Sequence, residues 1–514
     1  MKKMVLLRRA SQIFFLTLFI YILWSTTYPL AGIIPPDMIF KADPLIMMMV
    51  SVSGRVILPG MAITIVMLAA AFIAGRYFCG WICPLGTAID MTGAAKKRRV
   101  GLPDKKNAAL RKVKYYILVL FFILALAGRQ AAWIFDPLVI AARFVSMNMI
   151  PALTHTFNAS FIFLIKYLNA PGAVKDLYYA LKPTILGVKV FYFANSLAIL
   201  TFFIVILAAS LVTRRFWCRV LCPLGATYGL IGKISPFSRK IDGCVACGNC
   251  RNYCRMGAIK EDFSYVKSEC ILCMDCIYDC PKRVTRFSFF GSRRNGAAGN
   301  IPKNGDGSSA GVSRKNFILL ILSSFFAMGA RFNPGVKNTA GAGAVIRPPA
   351  ALEEDDFVNR CIRCGNCMKV CITNGLQPVM LQAGPAAIWT PHLVPETGYC
   401  EYRCTLCGRA CPTGAIPAIS QERKMTVRLG LAEIDRSICL PWASGTECLV
   451  CQEHCPVSDK AIRLNTYGGG PAKPYIEEEL CVGCGICQNK CPVRPVRAVR
   501  VSVKNSDRNG VHDD

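Results

Sequence analysis

The sequence predicts a helical membrane protein, with four spanning helices plus a fifth, that carries compact cysteine-rich α+β domains. Three observations predict it. The 514-residue chain is 53% hydrophobic, and its mean hydropathy of +0.38 is too high for an ordinary soluble protein. Its 28 cysteines fall mostly in C-x₂-C runs, which in so long a chain indicate metal ligation rather than disulfides. Its formal net charge of +30 is concentrated beside the apolar runs.

The spanning elements come first. A basic start (residues 1–9) precedes an apolar run at 10–30, which reads as a first helix with its N-terminus inside rather than a cleaved signal. Further apolar runs cover 59–78, 114–134 and 187–212, each long enough for a hydrocarbon core of about 30 Å. The stretch 150–169 is apolar too, but Asn158 and Lys166 interrupt it, and it is expected to form part of an outer loop. Lys96, Lys97, Arg98, Arg99, Lys105, Lys106, Arg111, Lys112 and Lys114 flank apolar segments as inner loops do. That placement argues against a nucleic-acid surface.

The first half repeats itself. Asp43-Pro44-Leu45-Ile46 is echoed by Asp136-Pro137-Leu138-Val139. Arg76-Tyr77-Phe78-Cys79-Gly80-Trp81-Ile82-Cys83-Pro84-Leu85-Gly86 is echoed by Arg215-Phe216-Trp217-Cys218-Arg219-Val220-Leu221-Cys222-Pro223-Leu224-Gly225. Two helices per copy place both Cys-x₃-Cys-Pro pairs at the inner ends of helices two and four. If each pair lies on one helix, its cysteines share a face. Cys79, Cys83, Cys218 and Cys222 could then hold a metal, form redox-active disulfides, or stand as reduced structural thiols.

The remaining 24 cysteines form six tetrads. Cys244, Cys247, Cys250 and Cys254 make C-x₂-C-x₂-C-x₃-C, and Cys270, Cys273, Cys276 and Cys280 repeat it. Four more follow: Cys361, Cys364, Cys367 and Cys371; Cys400, Cys404, Cys407 and Cys411; Cys439, Cys448, Cys451 and Cys455; Cys481, Cys484, Cys487 and Cys491. Three closely spaced thiolates wrap three corners of a cubane, and a cysteine from a partner motif reaches the fourth. Zinc ribbons close with two C-x₂-C pairs instead. The tetrads therefore predict six [4Fe–4S] clusters on bacterial ferredoxin-like domains. Arg255 and Ile372 stand where proline usually follows the last cysteine, which leaves ligation intact.

These signals divide the chain. Residues 1–235 form the four-helix membrane domain, 236–287 a two-cluster domain, 288–312 a flexible linker, 313–330 a fifth membrane helix, 331–352 a second linker, and 353–514 a four-cluster domain. No C-x-x-C-H is present, and the four histidines (His155, His392, His454 and His512) lie outside the spanning runs, so no haem is expected. No Walker or Rossmann glycine fingerprint occurs, so no nucleotide is expected. The chain reads as a carrier of single electrons without its own substrate-reducing site.

Residues 1–287 resemble the NapH-type quinol dehydrogenase membrane component of periplasmic nitrate reductase systems, in their four helices, both Cys-x₃-Cys-Pro pairs and the terminal two-cluster ferredoxin. The NosR and CcoG proteins share parts of this plan, although NosR's flavin domain is missing here. Residues 313–500 resemble the NapG-type ferredoxin, through the twin-arginine-like Ser313-Arg314-Lys315-x-Phe317 and the four tetrads. The resemblance implies a protein of the bacterial inner membrane, multi-pass, with the two-cluster domain cytoplasmic and the four-cluster domain periplasmic. It would be served by the quinol pool and would deliver to an extracytoplasmic reductase or multihaem cytochrome. A CcoG-like assembly or maturation factor is the alternative. The resemblance also implies a pairing of tetrads. Cys491 would complete Cys361/Cys364/Cys367, and Cys371 would complete Cys481/Cys484/Cys487. Cys455 would join Cys400/Cys404/Cys407, Cys411 would join Cys439/Cys448/Cys451, and Cys254 and Cys280 would swap.

Overall fold

The computed structural model describes residues 2–30, 32–94, 104–168, 172–182, 191–241, 243–289, 345–466, 470–504 and 506. The fifth helix expected at 313–330 and the basic residues 96–99 lie outside the described residues, as does most of both linkers. The chain divides into two compact units.

The first unit takes residues 1–21, 38–141 and 200–331. Its helices include most of α1 (Lys2–Trp24), then α2 (Pro44–Gly54), α3 (Met61–Ala74), α4 (Pro84–Ala94) and α5 (Asp104–Leu126). They continue with the start of α6 (Pro137–Phe144), most of α7 (Ser196–Val212), and α8 (Pro223–Ile234). The internal repeat becomes repeated capping. Asp43 Oδ1 accepts from the Leu45 and Ile46 amides at 2.9 and 3.2 Å, and Asp136 Oδ1 accepts from Leu138 and Val139, both at 2.9 Å. In each copy proline fills the first helical position, where no amide hydrogen is needed.

Each of the four expected spans contains a helix among its described residues, but of the four only the first is long and apolar enough to cross a membrane. Among the described residues, Lys3–Trp24 and Pro137–Tyr167 are the two helices long and apolar enough to cross a membrane. The 14 residues of α3 rise only about 21 Å at 1.5 Å per residue. The stretch read as an outer loop at 150–169 is instead the helix Ile150–Tyr167, continuous with α6 through a π-helical turn at Val145–Met149. Its polar interruption is satisfied internally: Asn158 Nδ2 donates to the Thr154 carbonyl at 2.9 Å, and the Tyr178 hydroxyl donates to Asn158 Oδ1 at 3.2 Å.

Residues 237–289 fold onto these helices. The strand β1 (Phe237–Ile241) pairs antiparallel with β2 (Thr285–Phe289), Phe237 opposite Phe289, and closes the small domain like a clasp. Buried charge fixes it in place. Glu269 meets Lys114 at 2.5 Å and Arg76 at 2.9 Å, all three almost fully buried. Trp81 Nε1 donates to the Leu272 carbonyl at 3.0 Å. Gly80 sits so close that a Cβ there would lie 2.3 Å from the Ile271 carbonyl oxygen.

The second unit takes residues 22–37, 142–199 and 332–514. Its cysteine-rich part carries three two-stranded antiparallel ribbons: β3 (Leu376–Pro378) with β4 (Pro391–Leu393), β5 (Leu431–Ile434) with β8 (Val499–Ser502), and β6 (Ile462–Asn465) with β7 (Lys473–Ile476). The other two segments pack against it. Lys369 Nζ donates to the carbonyls of Trp24 and Thr26 at 3.1 and 3.0 Å. Asn374 and Gln377 both donate to the Tyr192 carbonyl. Arg143 donates to the Arg363 carbonyl at 2.9 Å and stacks over Trp389 at 4.4 Å.

Candidate iron–sulfur sites

No disulfide joins any of the 28 cysteines. Three cavities in the second unit show which of them converge. Cys361, Cys364, Cys367 and Cys411 line one. Cys371, Cys400, Cys404 and Cys407 line another. Cys455, Cys481, Cys484 and Cys487 line the third. A fourth group forms where Cys439 and Cys491 share one apolar cluster and Cys439 lies within electrostatic range of Cys448 and Cys491.

This corrects the pairing implied by the resemblance. The first tetrad exchanges its last cysteine with the second, and the third with the fourth; Cys491 does not join Cys361, nor Cys371 the Cys481 group. The cause is local packing. The short helix Asn366–Lys369 packs on Leu406–Arg409, and Val450–Glu453 packs on Ile486–Lys490. Each consecutive pair of motifs therefore makes its own module.

The four sites succeed one another in a chain. Cys367 of the first senses the charge of Cys407 in the second. The Cys400 amide of the second donates to the Cys484 carbonyl of the third at 2.9 Å, and the Leu429 amide donates to the Val482 carbonyl at 3.0 Å. These backbone bonds join the two modules. Cys487 of the third senses Cys451 of the fourth.

In the first unit Cys254 lines a cavity with Cys270, Cys273 and Cys276, the Cys254 half of the exchange expected for that pair of motifs. Arg255, in the position where proline is usual, bonds Asp275 at 2.5 Å and Asp90 at 3.1 Å. Cys247 of the other motif is exposed.

The donor sets suit iron–sulfur ligation. Burial pushes the thiols up, Cys270 to about 11 and Cys276 to about 12, and Cys400 to about 11 and Cys484 to about 12. Thiols held this way become thiolates when iron replaces their protons. Amides already point at sulfur: Ala258 N–H reaches Cys254 Sγ at 3.2 Å, and Ile416 N–H reaches Cys411 Sγ at 3.4 Å. Buried cations stand beside them. Arg239 faces Cys250, Cys270 and Cys276, and Lys424 bonds the Cys400 side chain. No motif spacing announces either residue; each reaches the thiols only through the fold.

The Cys-x₃-Cys-Pro pairs do not sit on unbroken helices. Cys79 lies in the short helix Tyr77–Trp81, and Pro84 then starts α4. Cys218 lies in a π-helical turn, Trp217–Leu221, and Cys222 caps α8 in an extended conformation, as a residue before proline prefers. The Gly86 and Gly225 amides donate to Cys83 and Cys222 sulfur at 3.4 and 3.2 Å.

Ferredoxin-type ribbons around buried cysteine tetrads define an iron–sulfur electron-transfer protein. The family model described as a 4Fe-4S binding domain matches at residues 56–103 and 195–242, and a second of the same description at 474–497. The ferredoxin-type protein NapG of Escherichia coli K12 is 34% identical over 173 residues, 32% of this chain and 74% of that protein. The methylamine utilization ferredoxin-type protein MauM of Methylobacillus flagellatus is 35% identical over 167 residues, 32% of this chain and 70% of that protein. The electron transport protein YccM of Escherichia coli K12 is 28% identical over 236 residues, 44% of this chain and 55% of that protein. No solved structure matches. The chain belongs to the family of NapG- and MauM-like ferredoxin-type proteins.

Proposed function

We propose that this chain is a membrane-anchored relay of six [4Fe–4S] clusters that takes electrons from quinol and passes them to an extracytoplasmic reductase or multihaem cytochrome. The observation that carries the reading is the unbroken succession of four cysteine sites in the second unit, a wire rather than a set of isolated structural centres. A [4Fe–4S] cluster, when bound, takes up and releases one electron at a time. The protein's own part is to seat the four thiolates of each site, exclude water around them, and set their charge with Arg239 and Lys424.

Two further observations support the membrane and the sidedness. Helix faces carry large exposed apolar side chains, among them Phe14, Val66, Phe163 and Leu197, which in water would be a liability. The segment 22–37, which leads out of the first apolar run on the outer side of the predicted topology, folds with the four-cluster domain. In the first unit an open cleft is lined by Arg8, Gln12, Asp90, Arg215, Arg255 and Asp275. It offers a quinol headgroup hydrogen-bond partners close to the Cys273 site.

The test is anaerobic. The protein in detergent is mixed with a reduced menaquinone analogue, and its clusters are followed by EPR. Rapid reduction is expected. Clusters that dithionite reduces and quinol does not would overturn the quinol-donor reading and favour the CcoG-like maturation factor.

A further inference from the structure

The four cysteines outside the tetrads stand together. Cys79, Cys83, Cys218 and Cys222 are 4–7% exposed, and every one of their six pairings is close enough for the charges to interact. The two halves of the repeat are laced crosswise around them. Arg215 of the second half donates to the Cys79 carbonyl at 2.8 Å, and Arg76 of the first half donates to the Cys218 carbonyl at 3.3 Å. Gly225 leaves room for that crossing, because a Cβ there would lie 2.6 Å from an Arg76 nitrogen.

We propose that Cys79, Cys83, Cys218 and Cys222 together ligate a seventh [4Fe–4S] cluster, two thiolates from each half of the internal repeat.

Two lines of argument lead there. The first is ligand number. Each segment that matches a 4Fe-4S binding domain, 56–103 and 195–242, contains only two cysteines. Neither can complete a cubane, whereas the two together supply its four corners.

The second is charge. Arg76 and Lys114 share the single carboxylate of Glu269, leaving one positive charge in surplus. Arg215, Arg255 and Arg8 share Asp90 and Asp275, leaving another. Arg76 and Arg215 are each 1% exposed and lie within electrostatic range of the thiols. A [4Fe–4S]²⁺ core on four thiolates carries about −2, and these two buried arginines, each tied to a carboxylate on its other side, would stand beside it as compensating cations.

The inference goes beyond the six-cluster relay and does not need quinol as donor. Trp81, two residues from Cys79, bonds the Leu272 carbonyl, so the new site adjoins the motif of Cys270 and Cys273. It extends the inner pair of sites into the helical core, where the relay otherwise has no carrier.

The whole chain is purified anaerobically in detergent, with the Cys79→Ala/Cys222→Ala variant beside it, and native mass spectrometry and iron and sulfide analysis count the clusters. The expected difference is four iron and four sulfide per chain, with the variant eluting as a folded protein and keeping its other clusters. Equal iron in the two proteins overturns the proposal. So does recovery of the four cysteines of the wild type as disulfides. Should the double variant fail to fold, the wild-type count decides: seven clusters uphold the proposal and six or fewer overturn it. Because the readout is composition, it is unaffected by whether quinol reduces the protein.

Discussion

Replacing Glu269 with Gln should cost far more than removing its partner Lys114. Glu269 is 2% exposed and its carboxylate is the one anion between Lys114 and Arg76, at 2.5 and 2.9 Å. Glu269→Gln leaves two buried cations facing a neutral amide. Breaking a buried pair in this way costs about 3–5 kcal/mol. Lys114→Met leaves Arg76 with Glu269 in a balanced pair, and Arg76 keeps the Ser268 carbonyl at 3.1 Å. Exchanging a buried charge for an apolar side chain of similar volume is near neutral when the remaining charges balance. Thermal loss of the cluster absorbance in detergent reads the difference. Glu269→Gln should fall by on the order of 10 °C and release the two-cluster domain to protease, while Lys114→Met should stay within a few degrees of wild type. Equal losses in both variants, or a larger loss for Lys114→Met, would refute the charge argument.

Three other predictions rest on separate features. Cys411→Ala should expose Cys361, Cys364 and Cys367 to anaerobic alkylation and leave Cys439, Cys448 and Cys451 protected; the reverse pattern would restore the pairing implied by the resemblance. Gly80→Ala should weaken the docking of the two-cluster domain by about 1–3 kcal/mol, because its Cβ meets the Ile271 carbonyl oxygen at 2.3 Å; protease sensitivity of residues 236–287 reads it. Burial, with Arg347 nearby, lowers His392 from 6.5 to about 4. Between those values the unfolded chain binds the extra proton, so stability is full above pH 6.5 and is lost as pH falls toward 4, by about 2 kcal/mol once solvent screening is allowed for. Unfolding midpoints of wild type and His392→Asn, compared from pH 7.5 to 5, should converge as pH falls.

The cysteine tetrads were legible because their ligands are consecutive: in four of the six, three thiols within seven residues must wrap one object, whatever surrounds them. Their exchange was not legible. It depends on which short helix packs on which, and Asn366–Lys369 chooses Leu406–Arg409 through contacts that no spacing encodes. The repeated Asp-Pro and Cys-Pro steps were visible as words in the sequence, and their caps follow from proline at the first helical turn. Apolar windows found helices but read one of them, Ile150–Tyr167, as part of a loop. Asn158 reads as a break in the sequence, yet it is a satisfied polar group inside a helix, bonded to Thr154 and Tyr178. Arg76, Lys114 and Glu269 are separated by up to 193 positions, so nothing local could announce that they meet.

The exchange of cysteines between neighbouring motifs also bears on how the protein is made. In a first-with-last arrangement no centre beyond the inner two could be finished until residue 491 had left the ribosome. Here the ligands of the first two sites are all present once Cys411 has emerged, and the other two need only the chain beyond it. Assembly machinery can therefore fill the modules in the order of synthesis. A chain cut short between them would keep a complete front half rather than two open, oxygen-sensitive fragments.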